Sequence, residues 1–196
     1  KQMGLPIEKF IIASNRNDIL TRYFETGVMK MEAVEPSLSP SMDIQISSNF
    51  ERLLFQHYKE DPQALNDALN DFRKNGEIDF GKERWQAMCE EFSAARLSDE
   101  ETKNAIANFY ASTQELFDPH SVIGCYAAQH AGETSAVTVA LATAHPAKFP
   151  DAVQSASGVY PDLPPHLSDL FDREEKFVIL ANDLDIVKNY IKETLS

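Results

Sequence analysis

Short apolar runs alternate along the chain with longer segments in which apolar residues recur every three or four positions. Residues 9–13, 136–142 and 177–181 are mainly apolar, and each run predicts a buried strand of a parallel sheet. The segments between them carry the period of amphipathic helices. Strands that alternate with helices predict an α/β fold with a mainly parallel sheet. Three strands are too few for a complete doubly wound sheet, so the pattern predicts part of a larger domain.

Capping signals indicate where the helices begin and end. Ser48 and Ser98 each precede a glutamate by three residues, which is the pattern of a capping box. Gly27 is placed to end a short helix, and Asn182-Asp183 to begin the last one. The other helices are predicted over residues 18–25, 62–74, 83–92, 98–115, 119–131 and 146–157, and residues 28–41 are predicted to be loop. Residues 61–115 show no strand signal, and we interpret them as a helical insertion in the α/β domain.

Charge and composition limit the function classes. The 196 residues carry a formal net charge of −13, which argues against nonspecific nucleic-acid binding. No apolar run is long enough to span a membrane, and the two cysteines have no metal-ligand spacing. The first residues lack a signal peptide and do not begin with Met, so we expect a cytoplasmic protein whose N-terminal part is missing from this sequence.

Two places in the sequence are candidates for ligand binding. Thr143 directly follows a predicted buried strand, where α/β sheets bind their ligands, although it is equally placed to cap the next helix. His145, two residues further along, is either a polar contact for a ligand or a hydrogen-bonded histidine with a structural role. Ser48, Asn49 and Arg52 lie at a predicted helix N-terminus, which favours an anion, and the alternative is a capped surface helix.

Other catalytic patterns are absent from the sequence. It has no GxSxG elbow, no GxGxxG or P-loop, and only seven glycines. No histidine pair has zincin spacing, so we predict no metal site. Lys148 is the lysine nearest to Thr143, but it lies in no recognisable active-site motif. The chain is therefore predicted to hold no complete catalytic site.

Four segments together resemble threonine synthase of the fungal and bacterial type. These segments are residues 15–20, 39–55, 118–121 and 141–149. They fall in the family's order, and the match runs over essentially the whole chain. The run SPSMDIQISSNFERLLF within the second segment is the most specific of them. The resemblance implies that the chain is a C-terminal portion of one large domain of a fold-type II pyridoxal-phosphate enzyme.

The resemblance also implies a reaction and a set of contacts. Family members convert O-phospho-L-homoserine and water to L-threonine and phosphate with pyridoxal phosphate. Thr143 matches the position expected to hydrogen-bond the pyridine nitrogen of the cofactor, and Ser48, Asn49 and Arg52 are candidates for the substrate phosphate. The lysine that forms the Schiff base is expected upstream of this sequence, so the chain alone is predicted to be inactive.

Two alternatives stay open from the sequence. One is a noncatalytic binding or regulatory module built from the same fold, and the other is a different fold-type II lyase such as a dehydratase. If upstream strands are missing, apolar sheet edges are exposed, and we expect self-association or partial disorder there.

Overall fold

The computed structural model describes residues 1–130 and 136–195, which divide into two compact units, residues 1–162 and residues 163–196. In the first unit lie β1 (Phe10–Ser14), α1 (Ile19–Thr26), β2 (Val28–Lys30), α2 (Ser48–His57), α3 (Pro62–Asn75), β3 (Glu77–Asp79), α4 (Lys82–Glu91), β4 (Phe92–Arg96), α5 (Asp99–Thr113), α6 (Pro119–Gln129) and α7 (Pro150–Ser157). The second unit contains α8 (Leu184–Leu195) and two short 3-10 turns. Two further 3-10 turns, Pro40–Met42 and Pro146–Lys148, lie in the first unit.

A parallel pair of strands forms the centre of the first unit. β1 pairs with β4 from Phe10 opposite Phe92 to Ser14 opposite Arg96. The rings of Phe10 and Phe92 stack with their centroids 5.0 Å apart, which fixes the register at the start of the pair. The strand predicted over residues 9–13 is thereby confirmed, with helices packed around the parallel pair as in an α/β fold.

The prediction that residues 61–115 hold no strand is wrong. Both β3 and β4 lie in this block, and β4 is the parallel partner of β1. The sequence of β4 is FSAAR, in which no residue is β-branched and two are alanine, so its intrinsic β-propensity is weak. Pairing with β1 and packing of Phe92 against Phe24 determine its conformation.

A small antiparallel pair lies beside the central strands. β2 follows Gly27 directly and pairs with β3, which follows Gly76. Both glycines end a helix in the left-handed conformation, with φ of 82° and 72°. Part of the segment predicted to be loop therefore forms strand β2, because the αL cap turns the chain into an extended path at the edge of the core.

Two hydrophobic clusters stabilise the first unit. The larger contains the buried rings of Tyr23, Phe24, Phe50 and Phe80, which meet edge to face at centroid distances between 5.3 and 6.3 Å. The smaller lies where α5, α6 and α7 meet the ends of the central strands. Its buried members are Leu97, Ala105, Ile106, Val122 and Ile123. Burial of such side chains supplies most of the folding free energy.

Two of the three predicted N-terminal helix caps are confirmed, and the third lies one residue away. Ser98 and Glu101 form the predicted capping box at the start of α5. In the second unit, Asp183 accepts hydrogen bonds from the backbone N–H groups at the start of α8. The predicted box at Ser48 is wrong, because the capping side chain is Ser47, whose Oγ accepts from Phe50 N at 3.3 Å.

The strands predicted over 136–142 and 177–181 do not form in the described residues. Val137 is 91% exposed in the first unit, and Ile179 is 84% exposed in the second. A central strand is buried by neighbours on both edges and both faces. In the part of the chain that the structure describes, β1 and β4 pair with each other and with no other strand, so these apolar runs have no sheet to join.

Candidate functional site

The carboxyl ends of β1 and β4 lie side by side, which is where α/β folds place their ligands. Leu97 N donates to Ser14 O at 3.1 Å and extends the pairing one step beyond the strands. β1 continues into the polar segment 15–18, which belongs to the first motif of the resemblance. Three motifs of the resemblance converge here through hydrogen bonds.

An ion cluster holds the start of α1 against the end of β4. The carboxylate of Asp18 accepts from Arg22 Nε at 2.8 Å and also pairs with Arg96. Burial alone would raise the pKa of Asp18, but the two guanidinium groups outweigh it and hold the pKa below its usual range. Asp18 is therefore a structural anion and not a proton donor.

A buried network of amides fixes the loop that precedes α2. Asn15 Nδ2 and Asn17 Nδ2 both donate to Oδ1 of Asp43, at 2.7 and 2.9 Å. Asn17 N also donates to Asn15 Oδ1 at 2.8 Å, while Asn17 Oδ1 accepts from Glu35 N. Asn15 is 1% exposed and its Nδ2 also donates to Ser39 Oγ at 3.0 Å in a buried hydrogen bond, so the loop is tied to the end of β1 by bonds that are partly or fully buried.

Hydrogen bonds connect the first turn of α6 to the loop before α2 and to Thr143. Asp118 is fully buried, and its Oδ1 accepts from His120 N at 2.8 Å and lies 3.0 Å from His120 Nδ1. His120 Nε2 accepts a hydrogen bond from Ser41 N at 3.3 Å. An Nε2 that accepts requires the proton on Nδ1, so His120 is a neutral ring that donates to Asp118.

Thr143 is attached to the same turn. Its backbone N–H donates to Ser121 Oγ at 3.0 Å, whereas its own side chain is exposed. Among the described residues, the Thr143 hydroxyl has no hydrogen-bond partner. The expectation that Thr143 caps the next helix is wrong, because His145 caps the 3-10 turn by accepting from Ala147 N at 3.2 Å. His145 therefore has a structural role.

The predicted anion site lies at the N-terminus of α2, and the structure does not join it to Thr143. Ser48, Asn49 and Arg52 are exposed, and no ion pair to Arg52 is found within residues 1–130 and 136–195. Glu51 in the same turn pairs with Arg73 at 2.9 Å. Helix N–H groups and a guanidinium without an ion pair are suitable for an anion, but no hydrogen bond or ion pair among the described residues links this turn to α6 or to Thr143.

Sequence reasoning missed the polar side chains that connect the motifs, namely Asn15, Asn17, Asp43, His120 and Ser121. All five lie in the motif segments, and Asn15 and Asn17 also follow strand β1 directly, but the sequence does not show which of these side chains meet. The pairing of His120 with Ser41 spans 79 residues, which no local pattern reveals.

Other chemistries find no support in the described residues. No group of three or more His, Cys, Asp or Glu side chains there is arranged to hold a metal ion. Burial raises the pKa of the Cys89 and Cys125 thiols, so neither is an activated nucleophile. Lys148 is exposed, with its Nζ 5.8 Å from the ring centre of Phe149. Among the described helices, none is long and apolar enough to cross a bilayer.

Comparison with known proteins gives a consistent set of relatives. The family described as the C-terminal part of threonine synthase matches residues 121–191. Threonine synthase from Pseudomonas aeruginosa is 43% identical over 98% of this chain and 42% of its own length. A crystal structure of pyridoxal-phosphate-bound threonine synthase from Brucella melitensis has a TM-score of 0.88 and 46% identity, over 98% of this chain and 41% of that chain.

The yeast threonine synthase structure has a TM-score of 0.82 and 35% identity, over 99% of this chain and 43% of that chain. The chain thus spans about two fifths of the length of the relatives that it matches. The resemblance drawn from the four sequence segments is confirmed, and so is the α/β fold class. Over 98–99% of its length, the chain is similar in sequence and in fold to threonine synthases, one of which was crystallised with pyridoxal phosphate bound.

Proposed function

We propose that this chain supplies the C-terminal part of a threonine synthase, which converts O-phospho-L-homoserine and water to L-threonine and phosphate. The observation that carries the proposal is the fold match to a pyridoxal-phosphate-bound threonine synthase along nearly the entire chain. A second observation supports it, since three motif segments meet at one end of the central strands. A threonine-biosynthetic enzyme of this kind is expected in the cytoplasm.

Thr143 is the residue that we assign to the cofactor. Its side chain is exposed, its hydroxyl has no partner among the described residues, and its backbone is tied to α6. A neutral hydroxyl is suitable for donating to a pyridine nitrogen, which then stays largely unprotonated. Pyridoxal phosphate, when bound, supplies the electron sink for the chemistry, and this contact tunes how strongly it withdraws electrons.

Ser48, Asn49 and Arg52 are assigned to the substrate phosphate. The turn offers free backbone N–H groups at the positive end of α2, and two short polar side chains beside them. Arg52 has no competing ion pair within residues 1–130 and 136–195, so its guanidinium is available for two hydrogen bonds to phosphate oxygens. Their part is to bind and orient the anionic end of the substrate.

We assign the lysine that forms the Schiff base to a part of the protein outside this sequence. Lys148 is the nearest lysine to Thr143 in sequence, and it is exposed beside the Phe149 ring instead of enclosed in a pocket. The chain would then hold one side of an active site, to which residues 61–115 contribute strand β4 of the central parallel pair. Exposed apolar residues at 137, 139 and 141 also favour self-association of the isolated chain.

Reductive trapping tests whether the active site is divided between this chain and a part of the protein outside this sequence. The chain alone, mixed with pyridoxal phosphate and then borohydride, should give no stoichiometric adduct at any one lysine and should release no phosphate from O-phospho-L-homoserine. A longer protein that contains this sequence should give one adduct per chain, upstream of Lys1, and should release phosphate. A stoichiometric adduct on Lys148 with turnover by the chain alone would contradict the proposal.

A further inference from the structure

Three side chains in the first turn of α6 each bind backbone N–H groups. Asp118 accepts from N–H groups of its own helix, and His120 accepts from Ser41 in the loop before α2. Ser121 accepts from Thr143, 22 residues further along the chain. One helical turn therefore connects the loop of residues 39–43 with the residue assigned to the cofactor.

We propose that Ser121 is a positioning residue for Thr143: its hydroxyl holds the Thr143 backbone so that the Thr143 side chain is presented to the pyridine nitrogen. This inference rests on the proposed function. It adds a residue that touches neither cofactor nor substrate and acts through Thr143.

The anchor is needed because, among the described residues, the segment that precedes Thr143 has little other support. Residues 137–142 form no strand, and Val139 and Leu141 are 76% and 74% exposed. In the described residues, the bond to Ser121 is the hydrogen bond that ties Thr143 to the buried part of the first unit. Removing the Ser121 hydroxyl leaves the Thr143 N–H without its acceptor and releases the backbone that carries the side chain.

Ser121 is itself held rigidly enough to serve as an anchor. It is 2% exposed, and its N–H donates to Asp118 Oδ2 at 3.3 Å. Its neighbours Val122 and Ile123 are fully buried in the smaller hydrophobic cluster. Helix packing therefore determines the position of Ser121 Oγ. The hydrogen bond from Thr143 N to this oxygen then fixes the Thr143 backbone relative to α6.

The geometry favours a positioning role over simple capping. The cap of α6 is provided by Asp118, so the Ser121 hydroxyl is not required to satisfy the helix N-terminus. Ser157 offers a matched comparison, because its Oγ accepts from Val159 N at 3.1 Å at the end of α7. Both hydroxyls bind a backbone N–H, but only one of them binds the N–H of the residue assigned to the cofactor.

The test uses a full-length threonine synthase that contains this sequence, with Ser121→Ala, Ser121→Thr, Thr143→Val and the control Ser157→Ala. Amide hydrogen exchange at Thr143 is measured in the cofactor-free protein, and the dissociation constant of pyridoxal phosphate is measured by fluorescence titration. The cofactor absorbance spectrum and the separate values of kcat and KM follow. Thermal unfolding of each variant checks that it is folded.

Ser121→Ala should accelerate exchange at Thr143 and weaken cofactor binding by roughly three- to tenfold each, the usual effect of losing one hydrogen bond. It should lower kcat more than it changes KM. Ser121→Thr, which keeps the hydroxyl, should restore the exchange rate at Thr143, the cofactor dissociation constant and kcat. Ser157→Ala should leave these three quantities unchanged. This pattern would support the proposal.

Two results would overturn the proposal, and they separate it from the proposed function. If Thr143→Val weakens cofactor binding but Ser121→Ala does not, the positioning role is wrong and the cofactor contact stands, even if exchange at Thr143 accelerates. If Thr143→Val changes neither the cofactor spectrum nor its dissociation constant, the contact assigned to Thr143 is wrong and the role of Ser121 fails with it.

Discussion

His120 Nδ1 lies 3.0 Å from Asp118 Oδ1, and both side chains are buried at the start of α6. The other ring nitrogen of His120 accepts from Ser41 N, so the pair joins a helix N-terminus to the loop before α2. A buried carboxylate that keeps all its donors is stabilising, whereas one that loses a donor is costly.

Replacement of His120 by Ala should therefore destabilise the protein. The change removes a donor from the buried Asp118 and the acceptor of Ser41 N, and we expect a loss of about 2–3 kcal/mol in the free energy of unfolding. Urea denaturation measures it. His130→Ala is the control, because His130 is exposed and its Nδ1 bonds within its own helix to Tyr126 O. Equal effects of the two substitutions would contradict a special role for His120.

Asp18 predicts a pH dependence of stability. Burial opposes its ionisation, but Arg22 and Arg96 lower its pKa in the folded protein below the ordinary value of 3.8. Ionised Asp18 therefore stabilises the fold fully above about pH 4, and this contribution is lost as the pH falls through the folded pKa. Asp18→Asn should cost about 1–2 kcal/mol at pH 7 and progressively less in acid, measured by denaturant unfolding at several pH values.

Asp169→Asn is the matched control for Asp18, since Asp169 pairs with Arg173 at 2.6 Å on an exposed surface. Such pairs contribute little to stability because water screens them. Unfolding curves of Asp169→Asn and the parent protein should coincide at pH 7. A constant deficit for Asp18→Asn from pH 7 down to pH 3 would contradict the assigned ion cluster.

Gly27 and Gly76 allow two reasons for a glycine to be distinguished, namely a left-handed backbone conformation and a lack of space for a Cβ. Both have positive φ, but a Cβ on Gly27 would lie 3.2 Å from Trp85, whereas nothing lies within 4 Å of one on Gly76. Gly76→Ala should cost about 1 kcal/mol from backbone strain alone. Gly27→Ala should cost more and should shift the fluorescence of Trp85, the single tryptophan. Equal unfolding free energies with unchanged fluorescence would contradict the predicted clash between the new Cβ and Trp85.

Several features of the fold follow from local sequence. The apolar run before residue 14 predicts β1, and Gly27 predicts the end of α1, because these signals act within one element. β4 could not be predicted in this way, since FSAAR becomes a strand only by pairing with β1, whose residues lie 82 positions earlier in the chain, as Phe10 opposite Phe92 shows. Residues 136–142 show the converse, because an apolar pattern gives a strand only where neighbouring strands exist to pair with it.

The candidate site was predictable only in part, for a related reason. Thr143 stands out after an apolar run, but its attachment to Ser121 depends on tertiary packing of α6. The helix cap at Ser47 was predicted one residue late because Ser47 and Ser48 are chemically equivalent in sequence, and only the backbone decides between them. Buried polar contacts such as Asn15 with Asp43 are long-range and carry no periodic signal.

Arg52 predicts a selective effect on substrate binding. In a full-length threonine synthase that contains this sequence, Arg52→Gln should raise KM for O-phospho-L-homoserine about tenfold or more while changing kcat little, because a charged contact to phosphate is lost. Arg173→Gln, which removes an exposed guanidinium from the second unit, is the control. An unchanged KM for Arg52→Gln in steady-state assays would show that Arg52 at the N-terminus of α2 does not bind the substrate phosphate.

Simultaneous measurement of threonine and phosphate formed from O-phospho-L-homoserine tests the central claim most directly. The full-length protein with pyridoxal phosphate should form the two products in equal amounts. Thr143→Val should lower kcat about tenfold or more, since the pyridine nitrogen loses its partner. Thr138→Val, the same change at an exposed residue of the same segment, should leave kcat unchanged. No threonine from the full-length protein, or equal kcat values for the three proteins, would contradict the account.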